Sequence, residues 1–117
     1  MFSIGIEEEY QVINPQSREL VSREQQIVAG VNMILPDQAI AEMHEAVVEV
    51  GTKVCKNIQE AEQDIKNLRK VVSEVARGKG YVIGASGTHP FSLWQTQLIT
   101  ENPRYHEIEP DTIQTQR

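Results

Sequence analysis

From residue 2 to residue 13 the side chains alternate. Phe2, Ile4, Ile6, Tyr10 and Val12 fall on one parity, and Ser3, Gly5, Glu7, Glu9 and Gln11 on the other. A period of two predicts a β-strand with one face turned to a core. Glu8 breaks the pattern from between Ile6 and Tyr10, so either a bulge or an ion pair with a basic side chain has to accommodate it. "NPQS" at 14–17 carries turn chemistry, with Pro15 pre-setting φ, and "RELV" at 18–21 is predicted to return as a short antiparallel strand. Ser22 followed three residues later by Gln25 fits a capping box. Ile27, Val28, Val31 and Ile34 then make a helical stripe that ends before Pro36.

The segment "AIAEMHEAVVEVGT", residues 39–52, fits strand or helix on periodicity alone. The β-branched Val47, Val48 and Val50 and the breaker Gly51 favour a strand over about 43–51. Residues 56–77 carry the strongest pattern in the chain: Ile58, Ala61, Ile65, Leu68, Val72, Val75 and Ala76 recur three or four apart with charges between them. This predicts an amphipathic helix stopped by "RGKG", with Arg69, Lys70 and Arg77 toward the end where the macrodipole favours cations. "YVIGAS" at 81–86 reads as a strand and "GTHPFSLW" as a structured loop. Beyond Trp94 two prolines and many polar groups leave no period, so 95–117 is expected to be an irregular tail. The order predicts an α+β domain with a largely antiparallel sheet.

Composition narrows the function. A chain of 117 residues, 39% hydrophobic, suits one domain. Its net charge of -6 would repel a phosphate backbone, which argues against a nucleic-acid partner. No apolar run is long enough for a membrane span and no signal-peptide pattern is present, so a cytoplasmic protein with no membrane partner is expected. Cys55 is the single cysteine and is expected to be a buried, inert thiol.

The candidate chemistry lies in the acids. Side chains two apart on a strand share a face about 6.6 Å apart, so Glu7 and Glu9 project together, and Glu49 stands between Val48 and Val50 on a second strand. If those strands pair, the three carboxylates converge on a space suited to Mg²⁺ or Mn²⁺ carrying nucleotide phosphates. A solvated outer face is the plain alternative reading of the same residues.

Four motifs, "GIEEEYQVINP", "HEAVVEVGTKVC", "GASGTHPF" and "NPRY", occur in that order over residues 3–105. Together they resemble the N-terminal part of the glutamate–cysteine ligase type 2 family, the carboxylate–amine ligases. The resemblance implies a partial glutamine synthetase-like catalytic domain, with helices packed on one face of a curved antiparallel sheet and Mg²⁺ and ATP held by strand carboxylates on the other. It implies a reaction joining a glutamate-like carboxylate to a cysteine-like amine through an acyl phosphate. Glu7, Glu9 and Glu49 match metal-binding carboxylates of the family, and Glu42 is a weaker match. Glu42 has the wrong strand parity relative to Glu49, so a bulge or strand start must lie between them if both are ligands. His89 in "GTHPF" and Arg104 in "NPRY" match family positions near nucleotide or substrate; a histidine bonded to its own loop and a solvated tail charge are their plain alternatives. His44 and His106 are expected at the surface.

Family members extend further, with a His-x-His strand and a late acidic pair that do not occur in these 117 residues. The expectation is an N-terminal segment that lacks ligase turnover by itself and whose unpaired sheet edges favour a homo-oligomer. The alternative is a complete small non-catalytic α+β protein that binds a partner through its acidic face.

Overall fold

The computed structural model describes residues 2–42, 46–86, 90 and 92. The elements run β1 (Glu7–Ile13), α1 (Glu24–Ile34), β2 (Ala39–Ala41), β3 (Val47–Gly51), α2 (Ile58–Gly78) and β4 (Val82–Gly84). The strands form one antiparallel sheet in the order β2-β3-β1-β4. The α+β class and the antiparallel sheet expected from the sequence are both present. No helix among the described residues is long and apolar enough to cross a membrane.

Strand register sorts the sheet into two faces. Tyr10 pairs with Val48, Glu8 with Val50, and Val12 with Ile83, while Ala39 and Ala41 lie opposite Val50 and Val48. These positions share the face on which both helices pack, because Tyr10, Val12, Val48, Val50 and Ala39 form one buried cluster with Ile27 and Val31 of α1 and Ile65, Leu68, Val72 and Ala76 of α2. The opposite face carries Glu7, Glu9, Gln11 and Ile13 of β1, Glu49 of β3 and Ile40 of β2.

The first strand is shorter than its alternation: Ile4 makes only an isolated bridge to Cys55, and Phe2 is 96% exposed rather than part of the core. The return strand expected at 18–21 is reduced to one bridge, Ile13 to Leu20. The turn before it is built on Asn14, whose Oδ1 accepts from the amides of Gln16 at 2.8 Å and Ser17 at 3.2 Å. The Ser22–Gln25 capping box does not form. Helix α1 starts at Glu24, so Arg23 occupies the cap position without a side-chain capping bond, and a buried acid, Glu24, lies in the first turn instead. Ile34 is 59% exposed and falls outside the core.

Strand β2 was not expected. Asn32 of α1 holds it, donating to the Ala39 carbonyl at 2.9 Å and accepting from the Ala39 amide at 3.0 Å, as a neighbouring strand would. Gln38 adds a clamp to the Gly51 carbonyl and to Asp64.

Helix α2 matches its periodicity, with two adjustments: Val71 joins the buried stripe and Ile58 is 65% exposed. Asn57 caps it by accepting from the Glu60 amide at 2.8 Å. It ends at Gly80, where φ is +89°, with Tyr81 N–H bonding Ala76 and Gly80 N–H bonding Arg77, the paired closure that requires a left-handed residue. Cys55 is buried, as expected, and its Sγ meets the Lys53 carbonyl at 3.2 Å.

The two helices approach closely at Gly30, where a Cβ would stand 2.7 Å from Val75 Cγ1. Gly30→Ala gains about 1 kcal/mol of helix propensity but overpacks a stiff β-branched neighbour at a cost of roughly 1–3 kcal/mol. Urea unfolding should therefore show a net loss of about 1 kcal/mol, recovered when Val75→Ala is added; a gain in stability from Gly30→Ala alone would contradict this packing.

Candidate metal centre

The three acids of "EEE" have separate fates because the strand alternates. Glu8 points to the core face and meets Arg69 of α2, whose Nε donates to Oε2 at 2.9 Å while its Nη2 pairs with Oε1. The Tyr10 hydroxyl donates to the same carboxylate. Of the two ways to accommodate Glu8, a bulge or an ion pair, the ion pair is the one present, supplied from 61 residues away. Arg69 holds the Glu8 carboxyl below its usual range. Burial, and then the Glu8 carboxylate, push the Tyr10 hydroxyl well up.

Glu7 and Glu9 point to the opposite face. Glu9 lies directly across from Glu49, which in turn lies across from Ile40. Like charges facing each other on adjacent strands are destabilising unless something bridges them. Glu42 joins them, since the chain turns back after β2 and the Glu42 amide donates to the Val47 carbonyl. The parity difficulty between Glu42 and Glu49 is removed because the two belong to opposite sides of a hairpin, with the turn between them. Oxygens of Glu9, Glu42 and Glu49 all lie within 4.8 Å of one another. Glu7, opposite Gly51, shares the face but stands outside this triad.

A hydrogen bond that the protonated Glu49 carboxyl donates to Glu42, followed by partial burial and the Glu42 charge, raises Glu49 to about 7. Carboxylates crowded in this way are a condition that a divalent cation relieves. His44, His89, Arg104 and His106, and the tail at 95–117, lie outside the described residues.

Sequence reasoning ranked Glu42 below Glu7 because the hairpin that brings it in depends on the short strand β2. It counted Gln11, a buried side chain on the acidic face, only as a neighbour of the acids and gave it no role. Its place two residues beyond Glu9 on the same parity was the available signal.

The profile described as "Glutamate-cysteine ligase family 2(GCS2)" matches residues 3–117. The chain belongs to this family. Its similarity extends to proteins named "Putative glutamate--cysteine ligase 2": one from Herpetosiphon aurantiacus, 49% identical over 92% of this chain and 28% of its own length, and one from Roseiflexus sp., 48% identical over the same shares. A third, from Solibacter usitatus, is 44% identical over 93% of this chain and 29% of its own. The chain spans between a quarter and a third of the length of these glutamate–cysteine ligase 2 relatives. The non-catalytic binding alternative gains no support from them.

Two titrations should run in opposite directions in the family member without metal. Glu8, with its folded pKa depressed, contributes stability that is present above its unfolded value near 4.5 and is lost as the pH falls through the lower folded value. Acid unfolding of Arg69→Met should accordingly show a flatter loss below pH 4.5; an unchanged acid limb would contradict the pair. Glu49, with its folded pKa raised, makes stability fall as the pH rises from 4.5 to about 7. Glu49→Gln in chelator should remove that decline and be the more stable protein at pH 8, and chemical denaturation at pH 4 and pH 8 reads both limbs.

Proposed function

We propose that the chain contributes the first metal-binding strands of an ATP-dependent carboxylate–amine ligase with a glutamine synthetase-like catalytic domain, and that the complete protein joins a glutamate-like carboxylate to a cysteine-like amine. The observation that carries this reading is the meeting of Glu9, Glu42 and Glu49 from three strand segments on the face away from the helices. The family membership and the names of the relatives supply the reaction class.

The donor set fits the ion. Hard carboxylate oxygens suit Mg²⁺ or Mn²⁺, which bind few protein ligands and keep several waters and substrate phosphates. Glu9, Glu42 and Glu49 would hold the ion. Glu7, two residues before Glu9 on the same face, would add a further negative charge beside it. Bound there, the cation would supply positive charge against nucleotide phosphates and Lewis acidity toward the carboxylate to be joined to the amine. The residues of this chain orient the ion. Strand β1 cannot slip by one residue without exchanging its acidic and apolar faces, and the Glu8–Arg69 pair ties it to α2.

Calorimetric titration of the chain with Mg²⁺ or Mn²⁺ tests the reading. Glu9→Gln and Glu49→Gln should each weaken binding at least tenfold, the loss of a charged ligand contact being worth about 1.5–3 kcal/mol, and Glu7→Gln should weaken it less. Equal affinity in the wild-type chain and a Glu9→Gln/Glu49→Gln double variant would sink the assignment.

A further inference from the structure

Helix α2 makes a polar contact with the hairpin that carries Glu42 and Glu49. Asp64, half-buried on α2, presents Oδ2 to two donors: the Lys53 backbone amide at 2.8 Å and the Gln38 side-chain amide at 3.2 Å. Gln38 lies just before β2 and Lys53 two residues after β3, so a single oxygen holds both arms at the open end of the hairpin. Gln38 is only 7% exposed, and its two amide hydrogens match two acceptors, since it also donates to the Gly51 carbonyl at 3.2 Å. Its own carbonyl accepts from the Gly51 amide at 2.9 Å.

The Lys53 amide can reach Asp64 because the chain bulges there. Thr52 N–H bonds the Ile6 carbonyl at 2.9 Å, and Cys55 exchanges two bonds of 2.8 Å with Ile4, so Lys53 and Val54 together stand opposite Gly5. A bulge leaves one residue out of the ladder. Here the displaced amide is met by Asp64. Register carries this hold to the carboxylates: Gln38 faces Gly51, Ile40 faces Glu49, and the Glu42 amide donates to the Val47 carbonyl at 3.4 Å. Glu42 thus lies diagonal to Glu49 on the open face, within reach of long side chains. A slip of β2 by one residue would turn Glu42 to the helix side. The bond is 3.4 Å at the Glu42 end against 2.9 Å at the Gln38 end, so the hairpin is gripped where Asp64 acts.

We propose that Asp64 is a positioning residue for the metal centre: through Gln38 and the Lys53 bulge it fixes the register that brings Glu42 to Glu49. This role rests on the metal reading above. Asp64 stands outside the triad and acts through the backbone of the hairpin.

The test compares Asp64→Ala, Asp64→Asn and Gly30→Ala, reading Mn²⁺ affinity by calorimetry and amide hydrogen exchange in chelator. Asp64→Ala should weaken Mn²⁺ about tenfold, the low end of what removing groups that orient metal ligands costs, and should speed exchange of the Gly51 and Glu42 amides. Asp64→Asn removes the charge but keeps an oxygen acceptor, so both readouts should return close to wild type. Gly30→Ala, a packing change between the helices, should leave Mn²⁺ affinity unchanged, which separates positioning from a general loss of stability. Equal loss of affinity in Asp64→Ala and Asp64→Asn would assign the effect to charge and overturn the proposal. Wild-type binding that Asp64→Ala leaves intact would overturn it alone and leave the metal reading standing. A wild-type chain that binds no Mn²⁺ would remove the metal reading, and this role of Asp64 with it.

Discussion

The antiparallel pairing of β1 with β3 is the constraint from which the other features follow. With Tyr10 set against Val48 and Glu9 against Glu49, alternate residues are committed to opposite faces. One face becomes the core that both helices cover, and the other becomes the acidic surface. A slip of β1 by a single residue would bury Glu7 and Glu9 beneath the helices and turn Tyr10 and Val12 outward, so the apolar and acidic faces of the strand enforce the same register. Stability and site geometry are two results of one alignment.

The run of three glutamates at 7–9 has a corresponding explanation. The middle acid is a structural ion, anchored to Arg69 and Tyr10 on the helix side, while its neighbours face away. Glu8 is satisfied within the described fold. Glu9, Glu42 and Glu49 are crowded together, and the raised Glu49 shows the electrostatic cost of that crowding without a cation. Folding energy from the core is used to hold like charges in proximity, as metal sites require.

Much of this arrangement was legible in the sequence wherever the pattern was long. The alternation of residues 2–13 marked the right faces for β1, and the pattern over 56–77 marked α2 to within two residues at each end. What stayed hidden depends on contacts distant in sequence. Strand β2 is three residues long, too short for a period, and is held by Asn32 from the preceding helix. Without it, Glu42 cannot be seen opposite Val47, and its part in the triad is invisible. The partner of Glu8 could be required by parity but not named, because nothing local singles out Arg69. The capping box at Ser22 failed for a related reason: α1 begins one residue later than the box needs, and the buried Glu24 takes the first turn. Family resemblance supplied the reaction class, which periodicity alone could not.

The most direct measurement of the central claim is paramagnetic broadening of amide signals by substoichiometric Mn²⁺ in the isotope-labelled chain. The account predicts loss of signal first at Glu9, Glu42 and Glu49, with the exposed acids Glu60, Glu62 and Glu74 of α2 spared at the same Mn²⁺ level. Broadening that begins along α2, or is spread evenly over the acidic surface, would contradict a metal centre on the open face of the sheet.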